Sequence, residues 1–285
     1  MKKFFILALC FIFLVVPSIG LTADYYVDWD GGNDSNNGTS TGSAWDTIGK
    51  ANTILTAGDT VYIRAGTYYQ TIRPTTSGSA DNYITYAQYQ DEEVIITGTD
   101  GGDLSNRSYV IIDGIDMINV DYFVTFDPNG HHNIIQNCHM EEGTHYEGLK
   151  MENGANYNQI LNNVLIGLCE PHDVIQINDS GHNLIEGNFI YYGSHDALSI
   201  KNEDQDNSAD YNIVRNNYIQ NWWHTILCCS HKSFMFNSWH LPILVSTTGV
   251  ISSILTTINN NIIFHQKILY PGCLYISMPP VLDII

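Results

Sequence analysis

Histidine, aspartate and lysine side chains recur in the second half of the sequence at a spacing that suits acid–base chemistry. Two His-Asp pairs lie one repeat apart, and a lysine and a further histidine follow them. The set consists of His172, Asp173, His195, Asp196, Lys201 and His224. Imidazole, carboxylate and amine groups transfer protons in catalysis when they lie within hydrogen-bond reach of the reacting atoms. The elements that carry these residues decide whether they meet.

The sequence between Asn133 and Ile226 contains a repeat of about 25 residues. Four strand-like segments begin with Asn133, Asn158, Asn183 and Asn212, and each repeat has a second strand-like segment, at 148–151, 174–177, 197–200 and 225–228. Self-similarity at a period of about 20–50 residues is typical of solenoids, whose coils share one core. The sequence therefore predicts an all-β, single-stranded parallel β-helix.

Alternation along the second strands predicts which side chains face outward. The inward column is expected to hold Leu149, Ile175, Leu198 and Ile226, and the outward columns are expected to hold Lys150, Gln176 and Ser199, and Glu152, Asn178 and Lys201. Asp173 and Asp196 then occupy equivalent positions on neighbouring coils, between Glu147 and His224. The sequence thus predicts an acid–base cluster along one edge. In the alternative interpretation, the His-Asp pairs only cap turns, with each Asp accepting backbone N–H groups.

Asparagines also form an expected column, at Asn163, Asn188 and Asn217. Stacked amides at a bend can hydrogen-bond from coil to coil, so we interpret this column as structural. Cys138 stands at the equivalent position one repeat earlier, and we interpret it as a small buried core residue. Five cysteines without regular spacing follow the first 23 residues, which argues against a disulfide framework.

The first 23 residues have the pattern of an export signal. Lys2 and Lys3 precede an apolar run, and small residues follow near Gly20 and Ala23. After their removal, nine basic residues stand against 30 acidic ones. Such a surface repels phosphate backbones and anionic membranes, so we expect neither nucleic acid nor a membrane as partner. The sequence predicts a secreted monomer, extracellular or periplasmic.

An acidic loop lies next to Lys201. The stretch 202–207 lengthens one repeat by four residues and contains Glu203, Asp204 and Asp206. Clustered carboxylate oxygens in a flexible loop suit Ca²⁺, so these three residues are candidate calcium ligands. The loop from Asp28 to Asn37 has a similar supply of oxygens, but we interpret it as a structural turn.

The N-terminal part resembles a known family. The order YYVDWDGGNDSNNGTSTGSAWDTIGKA followed by AGDTVYIRAGTYYQTI is similar to the cap and first coil of the pectate-lyase-like right-handed β-helix superfamily. The resemblance implies a right-handed β-helix with a short N-terminal cap helix, which the apolar spacing over 45–55 also predicts. The expected organisation is a signal peptide over 1–23, cap and first coil over 24–73, and coils over 74–227.

Two further resemblances concern activity. Glu170-Pro171-His172-Asp173 is similar to a motif of mannuronan C5-epimerases, with Glu in place of the first Asp. The stretch HDALSIKN resembles the strand that carries the base lysine of β-helix polysaccharide lyases, which implies that Lys201 is a base. Those lyases place an arginine on the next coil, where this sequence has Cys229.

Both resemblances imply C5 proton abstraction from a uronate in an acidic polysaccharide, followed by β-elimination in a lyase or reprotonation in an epimerase. A non-catalytic surface or carbohydrate-binding module is the alternative. A hydrolase ranks lower, because the sequence lacks the paired-Asp and Gly-His-Gly signatures of polygalacturonase-like enzymes.

The composition changes after Leu227. Asp283 is the only acidic residue from Cys228 onward, and the tail over 228–285 resembles no earlier repeat. We interpret it as a frameshifted segment or as degenerate coils, in which Asn237 and Asn261 would mark the period.

Overall fold

The computed structural model describes residues 22–144, 147–168, 172–191, 196–201, 209 and 211–220, together with the strand backbones at 224–229, 235–237, 243–245, 262–264 and 274–276. Within these ranges the chain is an all-β solenoid with three sheets and one short α-helix near its N-terminus. The predicted fold class is confirmed. No helix of the described part is both long and apolar enough to cross a bilayer.

Each coil contributes one strand to each sheet. The nine strands of the first sheet are Asp24–Val27, Thr60–Ile63, Ile84–Gln88, Val110–Asp113, Ile134–Gln136, Gln159–Leu161, Leu184–Glu186, Ile213–Arg215 and Met235–Asn237. The eight of the second sheet are Gly66–Tyr68, Val94–Ile96, Asp116–Ile118, His139–Gly143, Val164–Leu168, Phe189–Tyr191, Tyr218–Gln220 and Ile262–Phe264. The eight of the third sheet are Gly102–Asp103, Val124–Thr125, Leu149–Glu152, Ile175–Asn178, Asp196–Lys201, His224–Cys229, Ile243–Val245 and Leu274–Ile276.

Stacked strands bury one continuous apolar core between the sheets. Leu149, Ile175 and Leu198 are paired in register and fully buried, as the predicted inward column requires. Ile226 is the partner of Leu198 in the next strand. A single coil has no second layer to cover its apolar side, so each coil depends on its neighbours for burial.

A short helix closes the N-terminal end. The helix Ile48–Ile54 begins after Thr47, whose hydroxyl accepts a hydrogen bond from the backbone N–H of Lys50 at 2.9 Å. This is the usual N-cap arrangement, which satisfies a free N–H of the first turn. Ile48 and Ala51 lie on its buried face. The predicted cap helix is therefore present.

The second sheet is an element that the repeat alignment did not resolve. Two strand-like segments were recognised in each repeat, whereas the coils of the structure contain three strands. The additional strands, such as Val164–Leu168, follow the first-sheet strand after only two residues. A bend at Asn163 separates them, and the repeat segment predicted from the sequence ends at this bend.

The tail continues the solenoid in part. Met235–Asn237 pairs in parallel with Ile213–Arg215, and Ile243–Val245 pairs in parallel with His224–Cys229. Leu274–Ile276 then pairs antiparallel with Ile243–Val245, which breaks the parallel pattern. Most of 228–285, including Asn261, lies outside the described residues, as does the expected signal up to residue 21. The frameshift and the signal peptide stay predictions.

Candidate active site on the third sheet

The outward face of the third sheet carries the polar side chains that the sequence singles out. Neighbouring strands of this sheet are in register, which aligns their outward side chains in two rows. One row consists of Lys150, Gln176 and Ser199, and the other consists of Glu152, Asn178 and Lys201. The predicted register of both columns is confirmed, but Gln176 and Ser199 are buried, so this part of the first row is not open to solvent.

Lys201 ends its strand with a carboxylate beside its amine. Its Nζ lies 3.5 Å from Oδ2 of Asp173, whose side chain is 4% exposed, whereas that of Lys201 is 25% exposed. Oδ1 of Asp173 accepts a hydrogen bond of 3.2 Å from the backbone N–H of Asp196. Asp173 therefore connects its own coil to the next through the Asp196 backbone and holds the Lys201 amine at the face.

Asp173 and Asp196 lie on neighbouring coils, as the alignment predicts. Asp196 is fully buried at the start of its strand, and its backbone pairs with that of His224 on the next coil. The side chain of His224 and the whole of His195 lie outside the described residues. The structure thus brings Asp173, Asp196 and Lys201 together and leaves the two histidines as predictions.

His172 contacts a second carboxylate on the same edge. Its Nδ1 lies 3.6 Å from Oε1 of Glu147, and this oxygen also accepts a long hydrogen bond of 3.4 Å from Nε2 of Gln176. Gly148 allows the coils to approach here, because a Cβ at this position would lie 2.5 Å from the Val174 carbonyl oxygen. Glu147 therefore links the imidazole to the outward row.

Lys150, Glu152 and Asp127 form a cluster that the sequence did not identify as functional. Nζ of Lys150 lies 3.4 Å from Asp127 Oδ2 and 3.3 Å from Glu152 Oε2. Partial burial raises the pKa of Glu152, and Asp127 and Glu147 raise it further, against the lowering effect of Lys150. The pKa of Lys150 is raised because Glu152, Tyr122 and Asp127 outweigh its desolvation. The sequence feature that could have identified this cluster was the predicted outward position of Lys150.

The strand register shows which residue occupies the position where the lyase resemblance implies an arginine. Lys201 is paired with Cys229 in the next strand of the third sheet. The alignment had placed Cys229 at this position, and the pairing agrees. A lyase-type arginine is therefore absent at the coil position after Lys201.

Calcium ligation receives no support from the described residues. Among them, no group of three or more His, Cys, Asp or Glu side chains could hold a metal ion. The predicted ligands Glu203, Asp204 and Asp206 lie outside the described ranges. In the loop from Asp28 to Asn37, Asp28 and Asn33 use side-chain oxygens to accept backbone N–H groups of the same loop, which supports its interpretation as a structural turn.

The described face offers an amine, an imidazole and several carboxylates within one strip. Such groups can remove a proton from a bound molecule and return one to it. Stacked coils with this strip along one sheet define a parallel β-helix that carries a candidate acid–base site.

Comparison with known proteins names the family. A model described as Pel9A-like, right-handed β-helix region matches residues 25–183, and the chain belongs to this family. The crystal structure of pectate lyase Pel9A aligns with 84% of this chain and with 78% of the Pel9A chain, with 15% sequence identity and a TM-score of 0.52. This likeness shows the shared fold.

Two further similarities have a lower TM-score or cover a smaller part of this chain. A rhamnogalacturonan lyase shares 14% identity over 85% of this chain and 87% of its own, with a TM-score of 0.41. The uncharacterized protein YwoF of Bacillus subtilis (strain 168) is 36% identical over 77 residues, which are 27% of this chain. That match spans 16% of the length of YwoF.

Proposed function

We propose that the protein is secreted and acts on an acidic, uronate-containing polysaccharide by C5 proton abstraction and β-elimination. The observation that carries this proposal is the position of Lys201. Its amine lies on the outward side of the third sheet and is held there by the nearly buried Asp173. The ion pair fixes the position of this amine, which can act as general base toward a sugar bound along the sheet once it has lost its own proton.

In the proposed reaction the neutral amine of Lys201 takes the C5 proton, and the electron pair of the C–H bond moves into the adjacent carboxylate. The pair then forms the C4–C5 double bond while the C4–O4 bond breaks. The leaving oxygen takes a proton, for which we assign His172, with His195 and His224 as the other candidates. The products are an unsaturated uronate and a shortened chain with a free hydroxyl group.

The test uses the full chain with polygalacturonate, alginate and chondroitin sulfate, and follows the ultraviolet absorbance of the unsaturated uronate. We expect activity on one of these polymers and a loss of about 10²- to 10⁴-fold in kcat for Lys201→Ala, the usual contribution of a general base. Lys50→Ala, on the cap helix far along the chain, is the control and should retain full activity. Full activity in Lys201→Ala would remove Lys201 from the mechanism.

Calcium dependence stays part of this proposal and rests on Glu203, Asp204 and Asp206. A Glu203→Gln/Asp204→Asn double variant should need more added CaCl₂ for the same rate than the unaltered protein. Equal rates with EDTA and with CaCl₂ would exclude a calcium requirement.

The same assays separate the alternatives. An epimerase would form no unsaturated product but would incorporate deuterium at C5 from D₂O, which NMR of the polymer detects. The missing arginine beside Lys201 favours the other alternative, a binding module. A module of this kind would retain polymer without forming product or exchanging the C5 proton.

A further inference from the structure

Three tyrosines form a cluster on the outward side of the first sheet, at the N-terminal end of the solenoid. Tyr26 and Tyr62 are paired on adjacent strands, with ring centroids 5.7 Å apart. Tyr89 places its ring edge against both, at 5.8 Å from Tyr26 and 6.2 Å from Tyr62. All three side chains are partly exposed. We call Tyr26, Tyr62 and Tyr89 the tyrosine platform.

A guanidinium group borders the tyrosine platform in a fixed orientation. Cζ of Arg64 lies 5.7 Å from the ring centroid of Tyr89. Nη1 donates to Asp28 Oδ2 at 3.1 Å, and Nε and Nη2 donate to the two oxygens of Glu92 at 3.2 and 3.0 Å. The hydrogen bond from Arg64 lowers the pKa of Glu92, and the N–H of Ala65 lowers it further. Glu92 therefore stays ionised, and the three hydrogen bonds hold the Arg64 guanidinium in one orientation.

An exposed tryptophan lies next in the chain to the aspartate that pairs with Arg64. Trp29 follows Asp28 in the chain and is 41% exposed. Its ring packs edge-on against Tyr68 at 5.9 Å, and its backbone N–H donates to the Tyr68 hydroxyl at 3.3 Å. The indole is thus anchored on one side and open to solvent on the other. The open face of the indole is available to a ligand that also contacts Arg64 or the tyrosine platform.

Aromatic faces beside fixed polar groups suit sugar rings. The C–H faces of a pyranose pack on tyrosine and tryptophan rings, and its hydroxyls pair with guanidinium and carboxylate groups. Three of the five N–H donors of Arg64 are used in the contacts of the described residues, which leaves two for a ligand. Burial raises the pKa of Tyr62, and Asp24 and Tyr26 raise it further, so its hydroxyl stays protonated.

The charge of this surface selects the kind of sugar. The one positive charge of Arg64 is opposed by Asp28 and Glu92, and Asp24 lies close enough to act on Tyr62. A surface with excess negative charge repels uronates and accepts neutral sugars. We propose that the tyrosine platform, with Arg64 and Trp29, binds neutral pyranose units of a polysaccharide, at a site separate from the third-sheet face.

Affinity electrophoresis of the full chain tests this binding without any need for turnover. Gels contain hydroxyethylcellulose or galactan as neutral polymers, and polygalacturonate as the charged comparison. We expect retardation in at least one neutral gel and a loss of affinity of about 3- to 10-fold in Tyr89→Ala and in Trp29→Ala. Tyr69→Ala is the matched control, because Tyr69 is 65% exposed, lies beside Gly98 and has no ring contact with the tyrosine platform among the described residues. It should bind as the unaltered protein does.

Circular dichroism shows whether each variant is folded, and Tyr89→Phe, which keeps the ring, should retain most of the affinity. The proposal is overturned if neither neutral gel retards the protein, or if a folded Tyr89→Ala binds unchanged. Stronger retardation in polygalacturonate that depends on Tyr89 would also overturn it. So would a dimer that Tyr89→Ala converts to a monomer, since this surface would then bind a second copy. Failure of the lyase assay leaves these outcomes unaffected, because they measure binding alone.

Discussion

Asn163, Asn188 and Asn217 each connect two coils through a single side chain. The Oδ1 atom of Asn163 accepts a hydrogen bond of 2.9 Å from the backbone N–H of Cys138, and its Nδ2 donates to the Ile135 carbonyl at 2.9 Å. Asn188 and Asn217 repeat this pattern on the following coils. Buried backbone groups at a bend have no strand partner, so an amide side chain that satisfies both a donor and an acceptor fits the position.

Cys138 ends this column and provides a test at the scale of one residue. Its thiol lies 3.8 Å from the Ile112 carbonyl, and burial raises its pKa to about 12. Cys138→Asn should extend the column by pairing with Ile112 and with the Ile115 N–H. We expect the free energy of unfolding to stay equal or to rise by about 1 kcal/mol.

Urea unfolding measures the effect, with Cys138→Val as the comparison. Valine has no polar atom for the backbone at this bend and should lower the free energy of unfolding by about 1–3 kcal/mol. If Cys138→Asn is as unstable as Cys138→Val, the hydrogen bonds of the column do not account for its stability.

The bend before the first-sheet strands forms an aromatic ladder, defined by Tyr109, His132, Tyr157, His182 and Tyr211. Successive ring centroids are 4.9, 4.8, 4.6 and 4.9 Å apart, and the rings are nearly parallel. All five residues have positive φ angles, between 56° and 63°. Ring stacking at the coil spacing offsets part of the backbone strain, which is costly for residues other than glycine.

His132 makes the stability of this ladder dependent on pH. Burial lowers its pKa below 6.5, and the adjacent His131, with its Nδ1 at 2.8 Å from that of His132, lowers it further. The unfolded chain therefore binds its proton at higher pH than the folded chain does. We expect the free energy of unfolding to decline as the pH falls below about 6.5.

The measurement compares urea unfolding at neutral and mildly acidic pH for the unaltered protein and for His132→Gln, whose decline should be smaller. His182→Gln is the control, because His182 occupies an equivalent place in the ladder without an adjacent histidine. An identical pH dependence in the unaltered protein and in His132→Gln would show that this titration does not act on stability.

At the scale of the whole molecule, negative charge is spread along a solenoid. The chain has 30 acidic and 11 basic residues, a net charge of −19. Self-repulsion of this size destabilises the folded state, and salt screens it. Between about 10 and 150 mM NaCl the Debye length falls from about 30 to 8 Å, so the melting temperature should rise by a few degrees.

Calorimetry or dichroism at several NaCl concentrations checks this expectation, and a melting temperature that falls with salt would contradict it. The melting temperature is also measured in CaCl₂ at the same ionic strength. A larger rise with CaCl₂ than with NaCl would indicate bound calcium rather than screening alone.

The sequence by itself determined the β-helix and the register of the two polar rows of the third sheet. Alternation within a strand and a period of about one coil are local properties, and stacking in register follows from them. For the same reason the alignment placed Asp173 next to Asp196, put Cys229 opposite Lys201 and identified the asparagine column. The cap helix could be predicted for the same reason, because the apolar spacing that indicates it lies within one short segment.

Only the tertiary structure decided how side chains from different coils pair. The contacts of Lys201 with Asp173, of Lys150 with Asp127, and of Arg64 with Glu92 join residues that lie some 23 to 28 positions apart. Spacing places such residues on neighbouring coils, but the bend geometry and the side-chain rotamers set which atoms meet. The second sheet was missed for a different reason: its strands are only three to five residues long, which is too short for alternation to identify them.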